Sequence, residues 1–155
     1  MRKLSSIILF SFFIFNCSFL IVHAQPDPLV ESGKVKQKTG NHDGAIYDFT
    51  SSIKKNDSEV QKYLSQLEEY DKMSSSEKAE KGIEAPLVNL NFSIPYYLRG
   101  YCYSITGKNN SALEDFNTAI KINPTYGSAY YQRGKLLWTT GKKDEGCSDV
   151  GMAGC

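Results

Sequence analysis

The chain has 155 residues, the size of one small domain. Its 18 Lys and Arg nearly balance 17 Asp and Glu, for a formal net charge of +1. That balance gives no electrostatic reason to expect nucleic acid or an anionic membrane as partner.

Residues 1–24 read as a targeting segment. Arg2 and Lys3 make a short basic start, and residues 4–22 are almost wholly apolar. Val22 and Ala24 then place small residues where a signal peptidase needs them. This is the three-part signature of a secretory signal peptide, so an exported protein, periplasmic or secreted, is expected. The alternatives are an uncleaved anchor, for which the run is near the lower length limit of a span, and lipidation at Cys17. Cleavage after Ala24 leaves 16 bases against 17 acids. It keeps all ten Tyr but only Phe49, Phe92 and Phe116 among the Phe. No second apolar run in the sequence approaches a membrane span, so the processed chain is expected not to cross one.

From there the sequence repeats itself. With Gly100 as origin, Tyr96 lies four before and Tyr103 three after, and Gly107, Ala112, Phe116, Ala119 and Pro124 follow at fixed offsets. Moving the origin to Gly134 gives Tyr130, Leu137, Gly141, Gly146, Val150 and Ala153 at the matching places, up to the last. Arg99 and Arg133 precede the two glycines, and Asp115 and Asp149 fall sixteen places after the arginines. A weaker copy around Gly33 carries Leu29, Gly40, Ala45, Phe49 and Ser52, with Asp57 in the slot of Pro124. Apolar and small residues recur at spacings of three and four over 96–105 and 112–122, so each stretch is an amphipathic helix. Gly107 and Gly141 mark reversals. The small residues are where paired helices press together, and a single hairpin cannot bury its own apolar face.

This pattern resembles the tetratricopeptide repeat, whose period is about 34 residues. The resemblance implies an all-α fold: antiparallel helix hairpins in a right-handed superhelical array, with repeats at about 26–58, 93–126 and 127–155. Ser32, Lys36 and Gly146 depart from it, in place of an Arg, a Tyr and an Ala. Arg99 with Asp115 and Arg133 with Asp149 are expected to pin their hairpins as ion pairs. Ser32 opposite Asp48 leaves the first copy without one.

An insertion at about 59–92 interrupts the repeats. Val60, Leu64, Leu67 and Tyr70 keep a helical spacing, so 59–73 is expected to be helix and to prolong the helix that begins near Gly44. The serines at 74–76 read as a loop, 77–81 as one further turn, and 84–94 as an irregular return. The interval from Gly33 to Gly100 falls one position short of twice the interval from Gly100 to Gly134. The insertion is therefore read as filling one slot of the stack, the alternative being a flap over the groove.

Little here supports catalysis. His42 is the one histidine beyond the signal segment, in the first hairpin turn, where a solvated side chain is expected. A triad or histidine metal site needs more, and no Cys-x-x-Cys, phosphate loop or H-E-x-x-H occurs in the sequence. No enzyme, cofactor or metal is expected; a thiol enzyme using Cys102 or Cys155 is the distant alternative. Cys102 is expected to be a small buried residue. Cys147 and Cys155 are too far apart along one helix for a disulfide, about 12 Å, unless Gly151 and Gly154 unwind the end. The sequons at Asn56, Asn91 and Asn109 matter only in a eukaryotic secretory route, and the chain reads as bacterial.

The family lines a concave groove with its first helices. By resemblance the groove here comprises Val30, Lys34 and Gln37; Tyr97, Tyr101 and Ser104; and Tyr131, Lys135 and Trp138. The alternative is that some of these pack in the core. The Lys/Asn/Arg clamp with which some members bind terminal carboxylates is absent, its places including Val30, Leu98 and Gln132. The expected function is an exported scaffold or adaptor that holds a protein or peptide. The alternative is a structural envelope protein that self-associates, for which Val150 and Met152 at the C-terminal end offer a homo-oligomer contact.

Overall fold

The computed structural model describes residues 26–151. The signal-peptide reading, Cys17, Met152, Ala153, Gly154 and Cys155 lie outside the described residues. The fold is all-α: α1 (Pro28–Lys38), α2 (His42–Lys72), α3 (Ser75–Lys81), a 3-10 turn (Leu90–Phe92), α4 (Ser93–Ile105), α5 (Asn109–Ile122), α6 (Gly127–Thr139) and α7 (Lys143–Val150). Among the described residues no helix is long and apolar enough to cross a membrane.

Local chemistry sets the helix ends. Pro28 opens α1, where its missing N–H costs nothing, and Asp27 Oδ1 accepts from the Leu29 N–H at 3.1 Å. Asn41 caps α2 by accepting from the Gly44 N–H at 2.9 Å. The three hairpin turns close on Gly40, Gly107 and Gly141 with φ of +80°, +76° and +92°, a region that side chains with a Cβ rarely enter. Pro124 follows the end of α5 by two places and blocks its continuation.

The hairpins α1–α2, α4–α5 and α6–α7 stack, with α2 against α4 and α5 against α6. The small residues lie at the contacts. A Cβ on Gly33 would run into the Phe49 ring, and one on Gly100 would stand 3.0 Å from Asp115 Cβ and the Phe116 ring. Phe49 and Phe116, in equivalent places of successive repeats, are fully buried. Each such ring contributes about 1.5–3 kcal/mol through the area it removes from water. Cys102 joins Val30, Ala45 and Phe49 in the core between the first two hairpins. Cys102 is a free thiol, as expected of a small buried residue, and Cys147 is disulfide-bonded. Helix α7 does stop at Gly151, whose φ is +64°.

Arg99 and Arg133 each grip their aspartate through two nitrogens, at 2.7–2.8 Å to Asp115 and 2.6 Å to Asp149. Their third nitrogen reaches the preceding second helix: Arg99 Nη1 donates to Thr50 Oγ1 at 3.2 Å and Arg133 Nη1 to Asn117 Oδ1 at 2.6 Å. Thr50 and Asn117 occupy the same register, seventeen places after Gly33 and Gly100.

That equivalence corrects the placement of the insertion. The first and middle hairpins are immediate neighbours, so the insertion fills no slot in the stack. With Asp57 where the middle repeat has Pro124, nothing stops α2, and it runs as one helix of 31 residues, roughly 46 Å long. Its extension packs Val60 and Leu64 alongside Tyr96, Ile122 and Ala129, at the ends of the neighbouring helices.

Three further expectations are corrected. The serines at 74–76 are not a loop: Ser74 and Glu77 form a reciprocal cap, Glu77 accepting from the Ser74 N–H at 2.9 Å, and α3 starts at Ser75. The first hairpin does have an ion pair, because Lys36 Nζ meets Asp48 Oδ2 at 2.7 Å. His42, at the first position of α2, is half-buried and not fully solvated, with Nδ1 lacking a hydrogen-bond partner among the described residues.

Candidate functional site

The first helices form the inner layer. Helix α4 touches both α1 and α6; of the second helices, the long α2 touches α5, while α5 and α7 make no direct contact with each other. Helices that approach closely on one side and diverge on the other enclose a groove on the close side. Its floor comes from α1, α4 and α6.

The nine proposed groove residues share these three helices but differ in what they present. Val30 is buried among Ala45, Phe49 and Cys102 and offers only an edge to the groove. Lys34 is half-buried and paired with Glu31 at 2.8 Å. Gln37 and Ser104 are half-buried.

Tyr97 is held in place. Its ring lies 6.2 Å from Phe116 and 5.0 Å from Tyr126, which arrives from the turn after α5. Burial raises the Tyr97 phenol above its ordinary value, Tyr101 adds to the rise, and a hydrogen bond from Gln132 opposes it. Burial pushes Tyr126 up to about 12. Tyr101 packs against the cluster of Ala112, Phe116 and Leu136. These tyrosines are a rigid wall.

The other half is open. Tyr131 keeps 55% and Trp138 41% of its surface exposed. Lys135, exposed one turn from both, makes no ion pair among the described residues. Lys143 at the start of α7 holds its Nζ 5.3 Å from the Trp138 ring centroid.

The structure adds an end wall that the repeat pattern had not indicated. A cleft of about 530 Å³ lies where α1 and α4 begin, lined by Asp27, Val30, Lys34, Asn91, Phe92 and Ile94 among others. Asn91 and Phe92 come from the returning limb of the insertion. The only sequence signal for this was that the return must lead into Pro95 in the first turn of α4.

Comparison with known proteins identifies the repeat. Residues 100–141 match the model of the family described as TPR repeat, so this stretch is tetratricopeptide repeat. Over 42 residues the chain is 45% identical to the tetratricopeptide repeat and J domain-containing co-chaperone DNJ1 of Cryptococcus neoformans var. grubii. That match takes in 27% of this chain and 8% of the relative. Over 60 residues it is 35% identical to the small glutamine-rich tetratricopeptide repeat-containing protein 2 of Mycosarcoma maydis, 37% of this chain and 17% of that one. The chain thus matches only a small part of the curated relatives' length. Two crystal structures of MamA also align, at 22% and 21% identity with TM-scores of 0.38 and 0.36. They cover 81% and 78% of this chain, and 71% and 67% of theirs.

Proposed function

We propose that this protein is an exported scaffold that holds an extended segment of a partner protein along α1, α4 and α6. One observation carries the reading: Tyr131 and Trp138 stay exposed on the inner layer, beside tyrosines that are already locked in place. Rigid aromatics lose little conformational entropy on binding and anchor interfaces well. Export is supported by the basic start and apolar run within residues 1–24, and a periplasmic or secreted location follows from it.

The test is capture from a native envelope extract by the purified protein and by a Tyr131→Ala, Trp138→Ala variant. Neither residue is in the core, so the variant should keep its helical circular dichroism while losing its partner. Undiminished capture rejects the groove.

A second reading, a structural protein that self-associates through the ends of its stack, is favoured by Val35. Its register partners Cys102 and Leu136 are buried by a preceding hairpin, whereas Val35 is 62% exposed. Sedimentation that stays monomeric as concentration rises would reject this alternative.

A further inference from the structure

The two layers of the fold carry opposite charge. The first helices hold Lys34, Lys36, Lys38, Arg99, Arg133 and Lys135 against one acid, Glu31. On every second helix acids outnumber bases: Glu114 and Asp115 face Lys121 in α5, and Asp144, Glu145 and Asp149 face Lys143 in α7. Helix α2 has seven acids and four lysines. Internal pairing leaves the first helices net basic and α2 and α7 net acidic, with Glu114 and Lys121 balanced in α5. Lys36, Arg99 and Arg133 neutralise Asp48, Asp115 and Asp149. Lys38 and Lys135 then remain on the inner layer with no ion pair among the described residues, and Lys34 shares only the exposed Glu31.

We propose that the segment held in the groove is net acidic and is read along its length through the Lys135–Trp138–Lys143 corner, not by its terminal carboxylate. This rests on the groove reading above. An acidic segment complements the inner layer and is repelled by the outer one, which orients it toward the groove. A terminal carboxylate finds no clamp: Val30 is buried, Leu98 is apolar, and Gln132 carries no charge.

Trp138 is the only tryptophan, so its emission reports directly on this corner. The probes are short fluorescein-labelled peptides alternating Glu with Tyr, Ser with Tyr, or Lys with Tyr, each with a free and an amidated C-terminus. The expected result is that the Glu–Tyr peptide perturbs Trp138, binds about tenfold tighter than the Ser–Tyr peptide, and weakens as salt is raised. Amidation should change nothing. Replacing Lys135→Glu and Lys143→Glu together should weaken the Glu–Tyr peptide by about tenfold. Lys143→Glu places negative charge at the N-terminus of α7, where the helix dipole favours it, so lost binding would not reflect lost helix. Equal binding of the Ser–Tyr and Glu–Tyr peptides overturns the acidic preference and leaves the groove standing. Binding that vanishes on amidation overturns the lengthwise reading. If no peptide perturbs Trp138, this inference and the groove reading fall together.

Discussion

Lys36 and Asp48 join α1 to α2 through a 2.7 Å contact at the place where the other hairpins use arginine. Ser32 stands in the arginine position and donates to the same carboxylate oxygen at 2.6 Å. Lys36, one turn further on, stands where Tyr103 and Leu137 stand in the other repeats. The two departures are therefore one compensated change: the cation has moved a turn along the helix and reaches back.

Lys36→Met should cost about 1–3 kcal/mol in urea denaturation, because Asp48, only 4% exposed, keeps just its hydroxyl partner. Ser32→Arg with Lys36→Tyr should restore stability. The hydrogen bond from Lys36, then that from Ser32, holds the Asp48 carboxyl below its ordinary value. A depressed folded value means the stabilisation is present above the ordinary carboxylate range and lost as pH falls through the folded value. The gap between the wild type and Lys36→Met should accordingly close below about pH 4. A gap that does not change with pH would show that Lys36 acts by packing alone.

Gly146 takes the place filled by buried Ala45 and Ala112 in the other second helices. Alanine would favour helix by about 1 kcal/mol. Its Cβ, however, would lie 2.6 Å from the Gly134 carbonyl oxygen and 3.0 Å from the Trp138 nitrogen. Both are backbone atoms and cannot swing aside. Gly146→Ala should therefore lower the melting temperature, at a net cost of about 1–3 kcal/mol, although it restores the more regular residue. An unchanged or higher melting temperature would show that α6 and α7 separate easily.

Cys102 should react with maleimide only as fast as the protein unfolds. It lies fully buried, and burial pushes its thiol from 9.0 to about 11. A raised folded value leaves stability intact below the ordinary thiol value and removes it as pH climbs through the folded one. Burial raises Tyr96, Tyr97 and Tyr126 as well, with the same sign. Denaturation midpoints should fall as pH rises from about 9 to about 11, with a smaller fall in Cys102→Ala. Rapid labelling of Cys102 at neutral pH, followed by peptide mass spectrometry, would contradict the core placement.

The hairpins were legible because their contacts recur: Gly33, Gly100 and Gly134 each meet a second helix sixteen or so places on, and a contact of that kind leaves a periodic mark. The Lys36 pair left none, since a cation displaced by one turn breaks the register that comparison relies on. The insertion misled by its length. An interval from Gly33 to Gly100 close to two periods suggested a missing repeat, while the physical fact was the lack of a proline at Asp57 and a helix free to continue. Tyr97 and Tyr131 are equivalent in spacing, yet among the described residues only Tyr97 is covered, by Tyr126 in the turn that leads into the next hairpin. Exposure of an inner-layer side chain depends on its neighbour along the stack, which spacing within one repeat does not report.

The insertion should be the first part of the protein to yield to protease. Helix α3 has no buried residue and, among the described residues, its one tie to another helix is Lys78 Nζ, 3.9 Å from the Tyr70 ring centroid in α2. The limb after it has no regular structure before Leu90, and Leu87 is 96% exposed. Backbone with so few contacts opens locally at small cost and fits a protease site. Trypsin at low dose should cut after Lys78 or Lys81 before any site in α4, α5 or α6. The cut would separate the first hairpin from the other two in sequence but not in space. The core of Val30, Phe49 and Cys102, together with the Arg99–Thr50 contact, joins them across the break. The two fragments should therefore elute together in gel filtration and part only in denaturant. First cleavage within α4–α6 would show that the insertion is better packed than its exposure implies, and fragments that separate at once would show that α2 and α4 are held together mainly by the chain between them.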